Sequence, residues 1–160
     1  MKDRAGFVLI EMIVVFGMLA VLTVMTVTNI FGSKRTATLS GAIDTVIADI
    51  KSQQIKAMSG AQINGTSPLG YGIYFDSSGY TLFRGLTYSA LDITNARVTL
   101  DTRLQIVNIL FPSSSLVFAS RSGEMVGYDS NANSFAIRNV DSGEIKTIQI
   151  NRYGVISSIN

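Results

Sequence analysis

Glu11 is the only ionisable residue in an apolar run that extends from Phe7 to about Phe31. A lone carboxylate in a segment of membrane length costs roughly 2.5–3.5 kcal/mol near a helix centre, so it is a functional-site candidate on cost alone. It lies four residues after Phe7, behind a Gly6-Phe7 junction that closes a short charged start, Met1-Lys2-Asp3-Arg4-Ala5. Other reactive chemistry is scarce. The chain has no histidine and no cysteine. That removes the commonest general base, the commonest metal ligand, thiol chemistry and any disulfide framework. No nucleophile–base pair carried by histidine or cysteine can be built, which leaves lysine-assisted serine chemistry as the one conceivable in principle. Ser113-Ser114-Ser115 follows Pro112 and reads as a polar turn, and no glycine-rich phosphate loop is present. The sequence therefore points away from an enzyme and away from a resident cofactor.

Two further patterns have plainer readings beside the functional ones. Asp129-Ser130-Asn131-Ala132-Asn133-Ser134 begins like a calcium loop, with Asp129, Asn131 and Asn133 at the first ligand positions. Its sixth position is Ser134, where glycine makes the sharp turn, and its twelfth is Val140, where a bidentate glutamate is needed. An Asx-rich turn accounts for the same residues. The basic residues Arg84, Arg97, Arg103, Arg121, Arg138, Lys146 and Arg152 are scattered among acidic ones. DNA contact needs clustered phosphate-binding charge. Only Arg138, Lys146 and Arg152 come near one another in sequence, and solvated faces explain them equally well.

The elements that must position these residues follow from composition and periodicity. The 160 residues suggest one domain plus an anchor, and a net charge of +2 implies no polyanionic partner. About twenty apolar residues suffice to span a bilayer, so the length of the first run fits. A secretory signal peptide would have a core of about 7–15 residues and a small-residue cleavage site, and neither is present. The run is rich in β-branched residues, among them Val14, Val15, Val21, Val24 and Val27; lipid would enforce helix there despite their propensity. Gly32-Ser33-Lys34-Arg35-Thr36 reads as a polar exit. Leu39, Ala42, Ile43, Val46, Ile47 and Ile50 then recur at helical spacing, an amphipathic face that continues to about Met58 and stops at Ser59-Gly60. After that the period changes to two. Tyr71, Ile73 and Phe75 alternate with Gly72 and Tyr74 ahead of an Asp76-Ser77-Ser78-Gly79 turn and a returning strand Tyr80–Arg84. Further strand-like runs fall at 97–100, 104–109, 116–119, 135–139, 145–150 and 155–158. The expected fold class is α+β: a long N-terminal α-helix, half transmembrane and half amphipathic, followed by a small antiparallel β-sandwich head. The expected divisions are 1–6, 7–31, 32–60 and 61–160.

Gly6-Phe7-Val8-Leu9-Ile10-Glu11 resembles the processing site of type IV pilins and of the pseudopilins of type II secretion and competence systems. The resemblance implies a leader at 1–6, cleavage by a prepilin peptidase between Gly6 and Phe7, and N-methylation of Phe7. It also implies that Glu11 pairs with an N-terminal amine, its own or a neighbour's, during assembly. A buried pair of this kind is far less costly than either charge alone. The implied partners are other pilins or pseudopilins through helix 7–58, the peptidase, an inner-membrane assembly platform, and membrane lipid before assembly. Lys2 and Arg4 before the run nearly balance Lys34 and Arg35 after it. The short leader therefore sets the implied orientation: a single-pass cytoplasmic (inner) membrane protein with a cytoplasmic N-terminus, then an extracytoplasmic filament. The order of helix then β head, with the closing segment Ile145–Ile156, is similar to the minor pseudopilin class GspH and its pilus counterpart FimT. Many major pilins carry a proline near the position of Thr28, and this chain does not, which fits a minor subunit better. The alternatives are a major type IV pilus subunit and, from another class, a single-pass membrane protein with a β-rich binding ectodomain.

Overall fold

The structure, a computed structural model, describes residues 5–60 and 68–160; within the helix, side chains are described for 10–23 and from 38 onward. The elements are α1 (Ala5–Met58), β1 (Gly70–Asp76), β2 (Gly79–Arg84), β3 (Ala96–Thr99), β4 (Leu104–Val107), β5 (Ser115–Ala119), β6 (Ser134–Asn139), β7 (Ile145–Ile150) and β8 (Ile156–Ile159). The chain divides into two compact units, Met1–Thr38 and Leu39–Asn160.

The expected fold class is corrected in its helical part. No helix among the described residues is long and apolar enough to cross a membrane. The described side chains of α1 fall on two short stretches, 10–23 and 38–58. The transmembrane half of the expected helix is therefore corrected: α1 runs from Ala5 to Met58, and among the described residues it holds no candidate membrane span. Residues 1–4 and 61–67 lie outside the described residues, as do the side chains of 5–9 and 24–37.

The second unit is built on one core. Leu39, Ile43, Val46, Ile50, Gln53 and Ala57 are all buried. Their steps of four and three place them on one stripe of the helix. The strands form two antiparallel sheets, ordered β3-β2-β1-β5 and β4-β6-β7-β8. Tyr71, Ile73 and Phe75 of β1 point into the core, as period two requires. Phe135 of β6 meets Phe75 with ring centroids 4.6 Å apart, and Phe111 lies 5.6 Å from Phe75. These rings join the two sheets. Tyr80 is fully buried and its hydroxyl donates to Asp49 Oδ2 at 2.6 Å. Burial pushes the Tyr80 phenol above its ordinary range, and the Asp49 carboxylate adds to that.

On the outer face of the first sheet Gly72, one of the two glycines of β1, has a packing role. A Cβ on Gly72 would stand 2.5 Å from the Phe83 ring, which lies across it. The hairpin register pairs Gly72 with Phe83, so the ring covers backbone that a side chain would otherwise occupy.

Candidate functional site

Glu11 and its surroundings belong to the first unit. Every described large hydrophobic from Ile10 to Leu22 is between 46% and 67% exposed. Glu11 is exposed among them. A contiguous apolar surface of this kind needs a cover, either lipid or other protein. Gly6 and Phe7 stand in the backbone of α1, but their side chains lie outside the described ones.

The calcium candidates are engaged separately. Asp129 Oδ1 accepts from the Asn131 backbone N–H at 2.8 Å, an Asx turn. Asn133 is 4% exposed; its Oδ1 accepts from Gln149 Nε2 at 3.3 Å and its Nδ2 donates to the Tyr128 hydroxyl at 3.4 Å. Asn133 thus serves the β6–β7 layer. Among the described residues no group of three or more acidic side chains gathers as a metal site would require.

The basic trio is also dispersed, for a reason of register. Arg138 pairs with Ile145, and Ile137 pairs with Lys146. Directly paired residues share a face, and neighbours alternate. Arg138 and Lys146 therefore lie on opposite faces of the same sheet. Arg138 Nη2 donates to Gln105 Oε1 at 2.8 Å, and Arg152 meets Glu124 at 3.4 Å. No continuous phosphate-binding face arises from these three.

Two arrangements escaped the sequence reading. The first is a polar clamp on the outer face of the β1–β2–β3 sheet. Arg97 holds the Asp76 carboxylate through both Nη atoms, and its Nη2 also donates to Ser78 Oγ at 2.8 Å. Those hydrogen bonds from Arg97 hold the Asp76 carboxyl down to about 2, below its ordinary 3.8. A depressed carboxylate contributes stability above its unfolded value and loses it as the pH falls through the folded one. The contribution is present above about pH 4 and disappears between about pH 4 and 2. In Arg97→Ala the drop in urea midpoint between pH 6 and pH 3 is expected to be smaller than in the parent protein. An equal drop in both would show that the clamp carries no acid-linked stability.

The second arrangement is a groove of about 400 Å³ at the C-terminal end of α1, lined by Gln53, Lys56, Tyr71, Leu82, Arg84 and Thr94 among others. Arg84 Nε donates to Thr94 Oγ1 at 2.9 Å, and that hydroxyl is 2.6 Å from Asp92 Oδ1. Next to it, Gln54 Nε2 donates to the carbonyls of Gly123 and Tyr153, at 3.0 and 2.6 Å. Gly154, at φ +73°, lets the chain pass there: a Cβ would come 2.4 Å from Gln54 Nε2 and 2.7 Å from the Phe118 ring. The signal for the groove was in the sequence. Gln53 occupies a core position of the helical stripe, where a polar residue is the exception.

No family model, no curated protein and no solved structure matches the chain.

Proposed function

We propose that this protein is a structural subunit, of minor pilin or pseudopilin type, of a type IV pilus-like or type II secretion-like filament. The observation that carries the reading is the Gly6-Phe7 junction four residues ahead of Glu11, leading into apolar side chains that stand exposed from Ile10 to Leu22. In this reading the exposed stretch is covered by the same stretch of neighbouring subunits, and Glu11 meets an amine released at Phe7. The protein resides at the cytoplasmic membrane before assembly and outside it afterwards. Its work is mechanical, with energy supplied by a separate motor. The fold of the second unit suits a projecting head, since its core is complete without the exposed segment.

The test is the intact mass of the protein recovered from membranes of cells that carry a prepilin peptidase. The expected species begins at Phe7 and bears one added methyl group. A species that retains residues 1–6, alongside normal cleavage of a control substrate, would overturn the reading.

A further inference from the structure

The connection between β2 and β3 folds with its polarity reversed. Its polar side chains turn inward and hold the chain. Asp92 Oδ1 accepts from the Thr94 backbone N–H at 2.8 Å and from the Thr94 hydroxyl at 2.6 Å. Arg84 Nε donates to that hydroxyl at 2.9 Å, and Asn95 Nδ2 donates to the Ser89 carbonyl at 2.8 Å. Backbone bonds from Asp92 to Ser89 and from Asn95 to Asp92 close two turns on the same residues. Leu91 and Ile93 stand outside this frame, 92% and 98% exposed. Single exposed aliphatics are ordinary. Here two of them flank a carboxylate on a loop whose conformation is already fixed. Covering them orders little that is not ordered already, so the gain from burial is kept.

The same unit has a groove that such a pair matches. It measures about 450 Å³ and rests on Tyr74, Ser115 and Val117, outer-face positions of β1 and β5. Leu86, Val117 and Val126 make its lining apolar, and the Tyr88 ring, stacked on Tyr74 at 4.1 Å, walls one side. None of its lining residues is charged. Thr87 and Ser113 line it as well, and their hydroxyls have no partner among the described residues. A cavity of about 150 Å³ already admits a benzene ring, so this groove has room for two aliphatic side chains.

We propose that the groove receives Leu91 and Ile93 of a second copy of the chain. The two side chains cover Leu86, Val117 and Val126. Asp92 comes with them: Thr94 occupies its Oδ1, and its Oδ2 accepts from the hydroxyls of Thr87 and Ser113. Two aliphatics about one carboxylate thus meet an uncharged apolar floor with hydroxyl donors at its side. A lipid surface would cover the aliphatics, bring Asp92 toward anionic headgroups and leave the groove unfilled. The loop does not fill its own groove, since Leu91 and Ile93 are exposed in the single chain. It leads into β3, whereas the groove floor is β1 and β5, toward the opposite edge of the sheet. The contact joins two unlike patches, so each copy gives a loop and receives one, and copies add in series. Both patches lie in the second unit, and the inference stands apart from the filament reading.

The test uses full-length single-cysteine variants, since the chain has no cysteine of its own. Ala90→Cys stands beside the apolar pair and Val126→Cys lines the groove, both at exposed positions. The two variants are mixed in detergent micelles and treated with a short bismaleimide. The mixture is expected to give a cross-linked dimer at a yield at least tenfold above that of either variant alone. It is expected to exceed by the same factor a mixture of Ala90→Cys with Ser142→Cys, an exposed position in the β6–β7 turn. Adding Leu91→Glu and Ile93→Glu to the Ala90→Cys chain is expected to cut the yield at least tenfold. Its melting temperature should hold, because neither side chain packs in the single chain. A yield no higher than that of the Ser142→Cys mixture would overturn the proposal. So would Ala90→Cys linking to itself as readily as to Val126→Cys, which would mean that loop meets loop. An unchanged yield in the double glutamate variant would overturn it as well.

Discussion

Replacing Phe135 with alanine is expected to cost about 3–5 kcal/mol of folding stability, the range for deleting a fully buried aromatic ring. Phe135 has no exposed surface and belongs to the cluster shared by the helix and both sheets. Its ring lies 4.6 Å from Phe75 on the other sheet and 6.1 Å from Phe111. Truncation therefore removes transfer energy and leaves a cavity between two sheets that are each fixed by their own ladders. Neither sheet can collapse into the gap without shifting its partners in register. For a domain of this size the loss corresponds to a fall in melting temperature of roughly 10 °C or more. Urea unfolding of the full chain, followed by near-ultraviolet circular dichroism, measures it. A loss below about 1 kcal/mol would mean that the Phe75–Phe135 contact is not the centre of the core.

The second large effect is functional and rests on the filament reading. Glu11→Ala is expected to reduce incorporation into filaments about a hundredfold while leaving cleavage at Gly6-Phe7 unaffected. Its removal leaves the partner amine buried without a counter-charge, a penalty of about 3–5 kcal/mol, equivalent to two orders of magnitude or more in association. Glu11 is exposed in the single chain, so its loss has little to act on before subunits meet. Quantifying the subunit in sheared filaments against the membrane pool reads the effect. Unchanged incorporation would remove Glu11 from the assembly step.

Several elements were legible because their signals are local. The stripe Leu39-Ile43-Val46-Ile50 reports helical period directly, and Tyr71-Ile73-Phe75 reports a strand with one buried face. Asp76-Ser77-Ser78-Gly79 is turn chemistry at the point where β1 gives way to β2. The membrane-spanning helix was not legible in the same way. That expectation rested on the apolar run in the sequence, and among the described residues no candidate membrane span is found. The calcium-like pattern shows a related limit of spacing. Spacing suggested three oxygens on one loop, but Asn133 is the residue at which the chain enters β6, and its side chain is bonded there.

By itself, the sequence determined that histidine and cysteine are absent, where the helical face and the strands begin, and the Gly6-Phe7-Glu11 spacing on which the proposed function rests. All of these depend on residue type and on neighbours within a few positions. The tertiary structure alone decided which strands become partners, and with them the sites. It joined Gln54 to the Tyr153 carbonyl across 99 positions and closed Arg97 onto Asp76. It also set Arg138 and Lys146 on opposite faces. Finally, it gathered Gln53, Lys56, Tyr71, Leu82 and Arg84 around one groove. Strand order and register are fixed by the packing of the whole core, and no window of the chain contains that information.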